Sequence, residues 1–248
     1  DGADGALAGE DVLDLVAGLV DASLVTITDG ADAEPRVGML QMMRAFALDQ
    51  LRSAGEEDMT RAGHAEHYMS IVEHLGPSIR GPQHREARAR LTTELDNLRE
   101  ALEWTTGPGD GSTASLERAR IGLRLCVAMN GYWGASGSIS EALRWFPRAI
   151  TSADPADSVE LARCLTDLGR FERLSGHIDQ AHAHETAAVE MWRRIGPQPT
   201  GPALACSFLG LIEAERGEIE TANSLFTEAL GLARAAGDLN QLCSVLIN

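Results

Sequence analysis

Three stretches in the second half of the chain carry the same order of apolar and polar positions: GSISEALRWFPRAI from Gly137, GHIDQAHAHETAAV from Gly176 and GEIETANSLFTEAL from Gly217. The glycines stand 39 and 41 residues apart. Counting from each glycine, position +2 is Ile139, Ile178 and Ile219, and position +5 is Ala142, Ala181 and Ala222. Position +12 is Ala149, Ala188 and Ala229, and position +13 is Ile150, Val189 and Leu230. Positions +2, +5, +9, +12 and +13 share one helical stripe, because residues three and four apart lie on one face of an α-helix. Before each glycine lies a second related segment: NGYWGASG, GRFERLSG and GLIEAERG. Each unit therefore reads as helix, tight turn at the glycine, helix. The small alanines let two helices approach closely. Such a pair cannot bury its stripe alone, so neighbouring pairs are predicted to stack into a superhelix.

The N-terminal part follows a different rhythm. GEDVLDLVAGLVDASLV predicts an amphipathic helix that runs into a short strand around residues 24–28. DGADAE is an acidic, turn-rich interruption, and RVGML from Arg36 predicts a returning strand. QMMRAFALDQLRSAGE then reads as a helix ending at Gly55. Helix, strand, turn, strand, helix is the order at the end of a winged-helix unit. The expected organisation is a winged-helix remnant over 1–53, connecting helices over 57–106 and a repeat array over 115–248 that continues further. The expected fold class is mainly all-α.

Composition agrees with that reading and narrows the chemistry. The 248 residues are 44% hydrophobic, enough for a sizeable core, and only 4% aromatic. Abundant Ala, Leu, Glu and Arg favour helix over strand. A net charge of -16 repels phosphate backbones, so direct DNA contact by this chain is not expected. No signal peptide is visible, nor any apolar run of the roughly 18 residues that span a bilayer. The expectation is a cytoplasmic protein with no membrane partner. The absence of a leading methionine, and Leu239–Asn248 reading as an unfinished helix, suggest an excerpt from a longer polypeptide.

Several residues invite a chemical reading. His177, His182 and His184 lie in one segment, yet His182 and His184 are two apart and point about 200° away from each other on a helix, so one ion cannot use both. His64 and His67 share a face without a third ligand, so no metal site is expected. Cys126, Cys164, Cys206 and Cys243 recur 38, 42 and 37 residues apart, a spacing that suits packing rather than a metal half-site. Arg80–Arg90 is a basic cluster that reads as a solvated helix face or, more sharply, as a contact for an acidic partner. TGPGDGST, residues 106–113, lacks the Walker lysine and reads as a linker. No catalytic constellation can be argued from spacing, so the chain is not expected to be an enzyme. Partner-binding candidates are the first-helix residues Asn130, Trp133, Arg170, Arg173 and Glu213, taken to face the groove of the array.

The repeat pattern resembles the tetratricopeptide repeat from about Ser115 to Asn248, with a period nearer 40 than the usual length of about 34. The surplus would sit in longer helices or in loops such as 154–158 and 196–202. The N-terminal elements resemble the winged-helix module that follows the nucleotide-binding domain in bacterial signal-transducing ATPases, both the AfsR-type regulators and the large ATP-binding LuxR-type regulators. Glu94, Asp96, Asn97, Leu98, Arg99, Ala101 and Leu102 fit the run Glu-x-Asp-Asn-Leu-Arg-x-Ala-Leu typical of their connecting helices.

The resemblance implies a sensor region of a transcriptional regulator. A protein or small-molecule inducer would dock on the repeats, an adjacent ATPase domain would bind ATP or ADP, and activation would drive oligomerisation. In that family a Met-His-Asp motif opens the helix after the hairpin, and its histidine touches ADP. The matching positions here are Met39, Leu40 and Gln41. Leucine and glutamine cannot reproduce those contacts, and a plainer reading makes Met39 and Leu40 core residues. The same region attached to a nucleotide cyclase or kinase, or a free-standing interaction scaffold, are the alternatives.

Overall fold

The computed structural model describes residues 9–29, 35–156, 158–198 and 201–237, together with 242, 245 and 246. Among these the chain is mainly α-helical, with eleven α-helices and one two-stranded hairpin. It divides into two compact units, the first ending at Arg61 and the second beginning at Ala62.

The first unit contains α1 (Gly9–Asp21), β1 (Val25–Asp29), β2 (Pro35–Met39) and α2 (Gln41–Ala54). The strands pair antiparallel, with Val25 opposite Met39 and Ile27 opposite Val37. Both strands lie where alternation in the sequence placed them. The acidic turn between them falls outside the described residues. Helix α2 stops at Gly55, whose φ of 72° is left-handed and lets its N–H reach the carbonyls of Leu51 and Arg52. Within this unit Val25 is buried, while no residue of α2 is.

The boundary falls within α3 (Glu57–Leu75), and from Ala62 onward the second unit continues through a 3-10 turn (Gly76–Arg80), α4 (His84–Thr93) and α5 (Leu95–Thr105). Three helix pairs follow: α6 (Thr113–Ser136) with α7 (Ile139–Ser152), α8 (Val159–Leu174) with α9 (Ile178–Ile195), and α10 (Pro202–Glu215) with α11 (Ile219–Ala236). The first helices of neighbouring pairs pack on one another, α6 on α8 and α8 on α10. The turn glycines Gly137, Gly176 and Gly217 have φ of 73°, 80° and 88°, a conformation a side chain would strain. Ser112 and Ser158 cap α6 and α8 by accepting the backbone N–H of Ser115 and Leu161.

The stripe is the core. The alanines at +5 and +12 are all buried, and Trp133, Phe146 and Phe171 form an aromatic cluster with ring centroids 5.5 and 6.0 Å apart. Position +2 departs from expectation. Ile219 is 56% exposed and Ile139 and Ile178 are half-buried, because +2 is the first residue of each second helix and overhangs the seam. The connecting run also divides at Glu94, where α4 ends and α5 begins. The loops after α7 and α9 lie where the longer period places them. The terminal stretch 239–248, with Cys243, is largely outside the described residues.

Candidate functional site

The second unit contains a groove of about 810 Å³ walled by four elements. One wall is the end of α3 and the 3-10 turn, with Val72, Glu73, Gly76 and Pro77; the other is α6, with Arg124, Val127, Asn130 and Gly131. The start of α8 closes it with Val159, Glu160 and Arg163. Val72, Pro77, Val127, Ala128 and Val159 supply its apolar lining, and the buried Ile79 side chain lies 3.6 Å from where a Cβ on Gly131 would sit. The rim of the groove is polar. Arg124 donates from one Nη to both carboxylate oxygens of Glu73, at 2.8 and 3.0 Å, tying α6 to α3. Glu160 stands 3.7 Å from Arg120. The volume suits a small molecule or a few residues of peptide, and apolar side chains interleaved with a few polar groups can orient such a ligand.

The sequence candidates meet different fates. Asn130 lines the groove, and its Oδ1 accepts a hydrogen bond from Arg170, forty residues away. Arg170 also stacks its guanidinium 4.3 Å over the Phe171 ring. Arg173 pairs with Glu215 on α10, and Glu213 holds His182 at 3.0 Å. These two therefore clamp adjacent pairs together. Trp133 is a correction: it is fully buried, because it points into the seam against Phe146 and presents nothing to a partner.

Arg124, Arg163 and the whole α3 wall escaped the sequence reading. A signal was there, since Arg124 and Arg163 each stand thirteen residues before a turn glycine. Nothing in the repeat indicates that α3 faces them.

The histidines are joined to carboxylates rather than to each other. His184 Nδ1 lies 2.7 Å from Glu172, and His182 reaches Glu213. His64 and His67 both pack on the Tyr68 ring. Among the described residues no group of His, Cys, Asp and Glu is arranged to hold a metal ion. Among the arginines of α4, Arg85 and Arg90 are exposed and Arg88 is half-buried. Residues 106–113 form the approach to α6, where Asp110 accepts the Ser112 N–H at 2.9 Å. Hydrogen bonds from Ser112 and Ser115 hold the Asp110 carboxyl down at about 2.

Met39, Leu40 and Gln41 sit at the junction of β2 and α2. Leu40 is the N-cap of α2 without offering a side-chain cap, and is 68% exposed; Met39 is 42% exposed. Neither is core, which corrects the plainer reading. Other large apolar side chains of the first unit, Leu13, Leu15, Ile27, Val37, Met42 and Phe46, are exposed as well.

No known protein-family model matches the chain. Curated proteins do. It is similar to mycobacterial transcriptional regulators. One from Mycobacterium tuberculosis and one from Mycobacterium bovis, both bearing the provisional name HTH-type transcriptional regulator, are each 27% identical over 240 residues. The match covers 95% of this chain and 26% of each relative. The chain thus spans about a quarter of the length of these curated relatives. No described helix is long and apolar enough to cross a membrane.

Proposed function

We propose that this chain is the sensor and regulatory region of a bacterial transcriptional regulator, located in the cytoplasm. It binds a protein or small-molecule inducer in the groove between α3, α6 and α8 and thereby controls an adjacent nucleotide-binding switch. The similarity to the mycobacterial regulators supports the regulatory role in general. The observation that carries the sensing role is the 810 Å³ groove itself, lined by apolar Val72, Val127 and Ala128 together with Glu73, Arg124, Asn130 and Arg163. The chain's own contribution is binding, and any ATP or ADP is held by a domain elsewhere in the longer protein.

Two features support coupling to such a domain. The groove draws its walls from connecting helices and repeats alike, so a ligand that binds one arrangement of α3 against α6 more tightly shifts the population toward it. The first unit leaves large apolar side chains such as Leu13, Ile27, Val37, Met42 and Phe46 in water, and apolar side chains so exposed are available to a neighbouring domain. Met39, Leu40 and Gln41 are exposed too.

The test fills the groove. Gly131 lines the groove, and Gly131→Trp puts an indole into it. In the full-length regulator it is expected to abolish inducible reporter transcription while leaving basal transcription and the helical circular-dichroism signal unchanged. Unchanged induction in this variant would sink the assignment.

A further inference from the structure

Position +9 of the repeat is Phe146, Glu185 and Phe226. In the third pair the Phe226 ring covers Gly210, where a Cβ would come within 2.9 Å of it. In the second pair Glu185 takes the same seat, its Cγ lying 2.6 Å from a Cβ built at Gly169. Glu185 is fully buried, and neither carboxyl oxygen has a hydrogen-bond partner among the described residues. A carboxyl has thus replaced an aromatic ring at the centre of the α8–α9 seam.

Its charged surroundings do not rescue it. From α8 it faces Asp167 and Glu172, which oppose its ionisation, and Arg170 and Arg173, which favour it. Both arginines have other acceptors, Asn130 and Glu215, and Glu172 already engages His184. On its own helix, His182 engages Glu213 of α10. Also from α10, the Cys206 thiol is close enough to feel it.

We propose that the α8–α9 pair is a proton-linked joint, the place where the array opens, because Glu185 must keep its proton while the helices are packed and releases it to solvent when they part. A fully buried, unpartnered carboxylate is too costly to keep charged, so the packed pair holds the acid form. Burial first and Asp167 second push the carboxyl well above its ordinary 4.5. The sign follows. The packed pair has its full stability below about 4.5 and loses it as pH rises toward the packed-state value. Each pH unit in that window multiplies the opening equilibrium by up to about tenfold. Repeat arrays tolerate such local opening because each pair contacts only its neighbours. Since α8 also carries Val159, Glu160 and Arg163, opening this joint remodels one wall of the groove.

Amide hydrogen exchange on the intact chain tests this, with protection factors referred to the intrinsic rate so that base catalysis cancels. Between pH 5.5 and 7.5 the amides of α8 and α9 are expected to lose protection by up to about a hundredfold, and those of α11 to stay level. Glu185→Gln, which cannot ionise, is expected to flatten that slope. Glu185→Phe, which restores the ring of the other two pairs, is expected to flatten it and to raise protection as well. A slope that persists in Glu185→Gln would belong to other groups and overturn the proposal. So would level protection in the unaltered protein.

Discussion

Arg124 on α6 grips both carboxylate oxygens of Glu73 on α3, at 2.8 and 3.0 Å, across 51 residues of sequence. The contact ties one wall of the groove to the other. Both side chains are close to half exposed, so water screens the pair and its direct contribution to stability is small.

Arg124→Ala is therefore expected to cost less than about 1 kcal/mol in urea denaturation. The same variant is expected to change inducible transcription in the full-length regulator, since the wall separation is no longer tied. A large stability loss with normal induction would mean that the pair is structural only.

The loop before α10 makes a different kind of demand. Gly201 has φ of 107° and lies against the Trp192 indole, so a Cβ there would run into the ring. Trp192 cannot retreat, because it is buried and its Nε1 donates to Thr166 Oγ1 at 3.2 Å. Gly201→Ala combines backbone strain with a clash and is expected to destabilise by more than about 1 kcal/mol, read as a lower urea midpoint at unchanged slope. An unchanged midpoint would show that the loop can move.

Cys126, Cys164 and Cys206 are buried. Burial raises all three thiols, that of Cys206 to about 12, and Cys164 points its Sγ at the Leu123 carbonyl. The thiolate is the reactive form, so these three are expected to resist Ellman's reagent in the native protein and to react fully in denaturant. Labelling of any of them under native conditions at neutral pH would contradict the packing described above.

Leu40 stands exposed at the head of α2, in the place where the resembled ATPases carry histidine. In the full-length regulator, calorimetry is expected to record tight ADP binding that Leu40→His strengthens. No nucleotide binding in either form would remove the nucleotide switch from the proposed function and leave the groove as a binding site only.

The sequence by itself determined the repeat. Gly137, Gly176 and Gly217, with buried alanines five and twelve residues further on, recur in register because helix periodicity and the left-handed turn are local requirements, met within one pair. The hairpin was legible for the same reason, since alternation is a property of consecutive residues. Tertiary structure alone decided the rest. Trp133 and Asn130 are three residues apart, yet one fills the seam and the other lines the groove, and which face is which depends on how α6 meets α7 and α8. The wall formed by Val72 and Glu73 comes from a helix outside the repeat, so no periodicity announces it. Glu185 lay in plain view on the apolar stripe, but its meaning appeared only when Gly169 was found beneath it and no partner beside it. Local patterns encode elements, whereas burial and distance arise only when elements far apart in the chain close around one another.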